Sequence, residues 1–135
     1  MPAHWLIKSE PDTYSFADLQ RDGRTVWDGV RNHQAKRWLE EMKVGDEALF
    51  YHSGKAPEVV GIARIARQAF PDPSDKEGRF VAVEVTPVRA LRTAVPLASL
   101  KAEPRLAELR TLRQGRISVT PVTDAEWALI LQMGS

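Results

Sequence analysis

Trp27, Asn32 and Gln34, with Asp28, Gly29, Val30, Arg31 and His33 between them, gather residue types that could do chemistry together. An indole can stack on a planar ligand, the two amides supply donor and acceptor groups, and a glycine lets backbone N–H groups come close. Nucleobases match that chemistry. Stacking a base on an aromatic side chain is worth about 1–3 kcal/mol, and an amide can grip a base edge at two points. The same residues also suit a structural task, with Trp27 anchoring a helix N-terminus and Asp28 and Asn32 capping it. A buried helix or strand would place Val, Leu and Ile here, because unpartnered buried polar groups are costly. The stretch reads as a pocket wall at a strand-to-helix transition.

Other chemistry is less well supported by spacing. His4, His33 and His52 match no ligand motif such as His-x-x-x-His, and the chain has no cysteine, so neither a metal site nor a cofactor is expected. Ser9 or Ser53 with His33 and Asp28 contains the parts of a nucleophile and its base, but no Gly-x-Ser-x-Gly elbow is present. His52 and Ser53 are neighbours on an extended segment and point to opposite faces. Lys8, Arg24, Arg31, Lys36, Arg37 and Lys55 surround the candidate pocket, and Arg105, Arg110, Arg113 and Arg116 form a second group. Any one of them suits a solvated face. As a group around an aromatic pocket, Arg31, Lys36, Arg37 and Lys55 are the candidates for phosphate contacts that position a strand without reading it.

These residues need elements to hold them. His4 to Lys8 alternates and breaks at Glu10-Pro11-Asp12, predicting a first strand that ends in a turn. Ser15 caps a short helix through Phe16 and Leu19, stopped by Asp22-Gly23, and Thr25 to Trp27 is extended. Ala35, Trp38, Leu39 and Met42 recur at helical spacing, predicting an amphipathic helix from about Gln34 to Met42. Glu47 to His52 is too apolar for a surface strand and should be central. Val59 to Phe70 and Phe80 to Arg89 read as a long hairpin around a turn-rich loop, with Gly61 marking a bulge or a close backbone approach. Pro104 divides Leu97 to Leu112 into two short helices, Arg116 to Val122 is a strand, and Thr123-x-x-Glu126 is a capping box that opens a last helix. About five strands with short helices between and after them predict an α+β domain with a curled or barrel-like mixed sheet.

The 135 residues, 43% of them hydrophobic, suffice for one domain spanning 1–135 and are too few for two of ordinary size. The net charge of +1 means that any polyanion must be bound by a local patch. The first residues lack a basic region followed by an apolar run, and no stretch approaches the roughly 18 to 20 apolar residues of a membrane span. With no cysteine, the expectation is a soluble cytoplasmic protein with no membrane partner.

Five segments in order, Trp5-Leu6-Ile7-Lys8-Ser9-Glu10-Pro11-Asp12, Trp27 to Ala35, Phe50-Tyr51-His52-Ser53, Val60-Gly61-Ile62-Ala63 and Arg116 to Val122, resemble the EVE domain family over almost the whole chain. The resemblance implies a PUA-like fold, a mixed β-barrel flanked by short helices and related to YTH domains. It implies a non-catalytic reader of modified nucleobases, with 5-methylcytosine or an oxidised derivative in DNA as ligand. It also implies the sensing half of a two-part system, with an effector protein such as a nuclease as partner. The implied pocket is lined by Lys8, Ser9 and Glu10, by Trp27, Gly29, Val30 and Asn32, by His52 and Ser53, and by Ser118. His33 stands where many members have tyrosine, and Thr120 where many have glutamine; a histidine still stacks but gains charge near about pH 6 to 7. A PUA-type module for a modified or unpaired RNA base is the alternative, and a small hydrolase acting on a nucleotide is a second.

Overall fold

The alternation of Trp5 and Ile7 with Leu6 puts apolar side chains on both faces of one strand, and the fold is built around that fact. The computed structural model describes residues 3–135. Strand β1, His4–Ser9, pairs in parallel with β3, Glu47–His52, and antiparallel with β6, Val119–Val122. Strands β4, Glu58–Pro71, and β5, Val81–Pro96, form the long hairpin, and β2, Thr25–Trp27, lies on its outer edge. The order is β2-β5-β4-β3-β1-β6, a mixed six-stranded sheet. Trp5, Ile7 and Phe50 bury in one apolar cluster with Phe16, Trp27, Leu39 and Val85. Leu6, Leu49 and Tyr51 bury in a second with Ile62, Leu109, Trp127 and Ile130. Central strands covered on both faces read as near-continuous apolar runs, which is why Ala48-Leu49-Phe50-Tyr51 marks the middle of the sheet.

The sheet curls. Helix α2, His33–Glu41, packs against β6, β5 and β4. In a flat sheet β5 and β6 would lie about 19 Å apart, more than the roughly 14 Å length of a nine-residue helix. Helix α1, Phe16–Asp22, takes its capping box from Ser15 and Asp18 and stops at Gly23 in the left-handed region (φ 75°). The segment after β5 holds α3, Leu97–Ala102, a 3-10 turn at Pro104–Leu106 and α4, Arg110–Arg113. Helix α5, Asp124–Met133, opens on the Thr123–Glu126 capping box. The α+β class, the mixed sheet and the hairpin stand as expected.

Two strand bounds differ from the sequence reading, and one strand departs from regular alternation. Strand β5 runs past Arg89 to Pro96, because repeated register shifts against β4 bend the hairpin and leave Val88 to Ala90 exposed. Strand β6 starts at Val119, not Arg116, because residues 114 to 117 form a turn in which the Ile117 N–H donates to the Gln114 carbonyl. In β4 the faces do not alternate strictly: Val59 and Ile62 bury in one cluster while Ala63 and Ile65 bury in the other. The register shift between Val59 and Gly61 changes the phase there. Gly61 is also a close approach, since a Cβ on it would sit 2.5 Å from Phe16 Cζ.

Candidate nucleic-acid interface

Polar residues at the end of a strand leave the sheet where the core stops, and here they do so beside the β2–α2 connection. Lys8 and Ser9 from β1, Trp27 to Val30 from that connection, Ser118 from the approach to β6, and Thr13, Tyr14, Arg24, Thr25, Val26 and Glu84 line one cleft of about 840 Å³. That lies in the range of small-ligand sites, roughly 300–1,000 Å³. The structure thus brings together Lys8, Ser9, Trp27, Gly29, Val30 and Ser118 of the sequence-derived set. Glu10, Asn32, His33, His52 and Ser53 do not line this cleft.

The residues outside the cleft have other tasks. Asn32 caps α2, its side-chain oxygen accepting the Ala35 N–H at 2.9 Å, which takes up one of the orphan donors at a helix start. His52 Nε2 accepts the Phe16 N–H at 3.1 Å and so secures the first turn of α1. Burial pulls the His52 pKa down, partly opposed by the negative charge of Glu58. The Ser53 N–H donates to the Ser9 carbonyl at 3.0 Å, extending the β1–β3 ladder by one step. The Glu10 carbonyl accepts from the Thr13 and Tyr14 N–H groups, making the turn that delivers those two residues to the cleft. His33 is exposed, with its ring tilted against Phe80 at 5.2 Å. Among the described residues, no hydrogen bond links it to Ser9, Ser53 or Asp28, and no group of three potential metal ligands occurs.

Asp72 holds the cleft wall in place. It lies in the β4–β5 connection with its side chain fully buried. Oδ2 accepts the Gly29 N–H at 2.8 Å and Arg31 Nη1 at 2.9 Å, and Oδ1 accepts the Ser74 N–H and hydroxyl at 2.7 and 2.6 Å. Burial alone would raise its pKa, but the bonds from Ser74, Arg31 and Gly29 outweigh that and bring it down to about 2. Gly29 sits at φ 79°, so the turn needs a residue free of Cβ strain. Arg31, expected on phosphate, is instead paired with Asp72 and donates to Ser74 at 3.1 Å.

Inside the cleft, charge and stacking surface are both limited. Lys8 Nζ donates to the Gly115 carbonyl at 2.9 Å and lies 5.5 Å from the Tyr51 ring centre, and its half-buried site lowers its pKa. Two of its three N–H donors have no partner among the described residues. Trp27 is 8% exposed and packs edge-on against Phe50 at 5.4 Å, so it presents only a small part of its indole to the cleft. Glu84 is bonded by Arg24 and, at 3.1 Å, by Arg67. Tyr14 donates its hydroxyl to Asp22 at 2.9 Å. Lys36, Arg37 and Lys55 make no ion pair among the described residues, and Arg105 pairs with Glu103. No helix of the described residues is long and apolar enough to cross a membrane.

A family model described as the EVE domain matches residues 3–133. The chain belongs to the EVE domain family. Human thymocyte nuclear protein 1 is 34% identical over 98% of this chain and 74% of its own length. The structure of a Rhodopseudomonas palustris protein, determined by NMR, superposes with a TM-score of 0.92 at 47% identity, covering 98% of this chain and 92% of that one. A structure described as human THYN1 protein in complex with DNA containing 5-methylcytosine superposes with a TM-score of 0.93 at 34% identity, covering 98% of each chain. The PUA-like expectation therefore holds for this EVE domain. Thr13, Tyr14, Thr25, Val26 and Glu84 are cleft residues that the sequence reading did not place in the pocket, and Asp28 lay in the stretch read as its wall without a ligand contact assigned to it. Asp28 was in view as a cap or a base, and its place between Trp27 and Gly29 was the signal that it shares their wall.

Proposed function

We propose that this chain is one EVE domain acting as a non-catalytic module that binds a modified nucleobase, 5-methylcytosine or an oxidised derivative in DNA, in the cleft at the end of β1. The observation that carries this reading is the convergence of Lys8, Ser9, Trp27, Gly29, Val30 and Ser118 on one cavity large enough for a base. The human THYN1 protein solved with 5-methylcytosine DNA supports the ligand class. A base enters only when unpaired or flipped from the duplex, which costs a few kcal/mol. With little of its face exposed, Trp27 serves as the wall beside the base rather than as a broad stacking platform. Lys36, Arg37 and Lys55 supply the phosphate contacts.

A methyl group is a weak handle. Burying one contributes about 0.8 kcal/mol, roughly fourfold in affinity. A hydroxymethyl or carboxyl group can bond to Lys8, Ser9 or Ser118, and a site built for such a bond rejects analogues that lack it more strongly. Fluorescence anisotropy with matched DNA and RNA oligonucleotides, each carrying one unmodified, methylated or oxidised cytosine, tests this. A preference of about tenfold or more, or 1.4 kcal/mol, for one modified base in DNA is expected. Uniform weak binding that vanishes with salt would overturn the reading. Binding that requires the 2′-OH would replace it with an RNA module.

A further inference from the structure

We infer that Asp28 determines base specificity in this cleft, and that the cleft takes a base with an exocyclic amino group and disfavours keto bases. This rests on the modified-base reading above and adds to it the atom that reads the base edge.

Two carboxylates line the cleft, Asp28 and Glu84. Both oxygens of Glu84 are occupied, one by Arg24 and one by Arg67. Asp28 is exposed and has no hydrogen-bond or ion-pair partner among the described residues. It does not cap α2, a task that Asn32 performs. The cation closest to it in sequence, Arg31, is held by Asp72 and Ser74. The Gly29 N–H beside it is engaged by Asp72 as well. Asp28 is therefore the one cleft carboxylate with both oxygens open.

Beside it the cleft offers two N–H groups of Lys8, which only donate, and the hydroxyls of Ser9, Thr13 and Ser118, which can donate as well as accept. Cytosine presents an amino donor beside two acceptors, N3 and O2, and adenine an amino donor beside N1. One acceptor-only group among several donors is complementary to that pattern. A 4-keto base would set its O4 lone pairs against a carboxylate that cannot donate, an element of rejection as well as attraction.

The test uses four oligonucleotides that differ at one base: deoxycytidine, deoxyuridine, 5-methyldeoxycytidine and thymidine. The set separates the amino effect from the methyl effect, since each appears twice. The wild-type chain is expected to prefer the amino base by about tenfold in both pairs. In Asp28→Asn, whose amide can donate to O4 as readily as accept from an amino group, that ratio should fall to within about twofold of unity. The methyl ratio should stay unchanged. Removing a negative charge raises affinity for all four, so the ratio is the readout. Asp28→Ala, with an unaltered thermal transition, should lose the amino preference in the same way. An amino preference that survives both substitutions overturns the inference and leaves the reader function standing. A wild-type chain with neither an amino nor a methyl effect overturns both.

Discussion

At the His4 end of β1, polar side chains are closely engaged. Asp46, 3% exposed, accepts the Ala3 N–H, the Trp5 indole N–H and the Lys43 N–H, each at 3.0 Å. His4 stacks on Trp127 at 4.2 Å and bonds to Asp124. At the Ser9 end, Lys8 has one carbonyl, the Ser9 hydroxyl has one long contact of 3.4 Å, and Asp28 and the Ser118 hydroxyl have no partner among the described residues. Two ends of one strand thus treat polar groups differently. One end uses them to lock the fold. The other leaves them open to a ligand, which suits binding better than stability.

Substitutions can break that contrast, and Trp27 gives the largest effect because it belongs to both the core and the cleft wall. Trp27→Ala should cost about 3–5 kcal/mol of stability, seen as a lower urea midpoint, together with weaker binding of the modified oligonucleotide. Asp46→Ala should cost about 3 kcal/mol by leaving three donors unpaired, yet change oligonucleotide affinity less than about twofold when corrected for the folded fraction. A large affinity loss there would erase the distinction between the two ends.

Asp72 sharpens the contrast by pH. Its folded-state pKa of about 2 lies below the ordinary 3.8, so its contribution is present above 3.8 and is lost as pH falls through about 2. Urea denaturation between about pH 5 and 2 should show about 2 kcal/mol of this loss in the wild type, and Asp72→Asn should remove it. His52 gives the smallest effect. Its folded pKa lies below 6.5, so the neutral ring that accepts the Phe16 N–H is favoured above 6.5 and stability declines as pH drops below that value. His52→Gln should flatten this acid limb in a thermal-denaturation series.

What could be read from the sequence was local. Ser15 with Asp18 and Thr123 with Glu126 each satisfy a helix end within three residues, so capping spelled out α1 and α5, and the helical spacing of Ala35, Trp38, Leu39 and Met42 spelled out α2. Trp27, Gly29 and Val30 were legible as a wall because they are contiguous. The supports were not. Asp72 acts on Arg31 and Gly29 from more than forty residues away, inside a Pro-rich stretch that reads as a solvent loop. Asp46 follows Val44-Gly45 in a stretch with the composition of a turn, yet two of its partners, Trp5 on β1 and Ala3 just before it, are 41 and 43 residues distant. Asn32 and His52 were read as ligand contacts, since an amide or imidazole suits either task and only the fold shows which N–H it meets.

The most direct test of the open end of β1 is to follow the backbone amides of isotopically labelled protein by NMR while adding a short single-stranded DNA with one 5-methylcytosine. The account predicts the largest shifts at Lys8, Ser9, Asp28, Gly29 and Ser118, with little change at Trp5, Asp46 and Trp127. Shifts centred instead on the groove formed by Pro57, Pro96 and Leu97, with the Ser9 end unmoved, would contradict it.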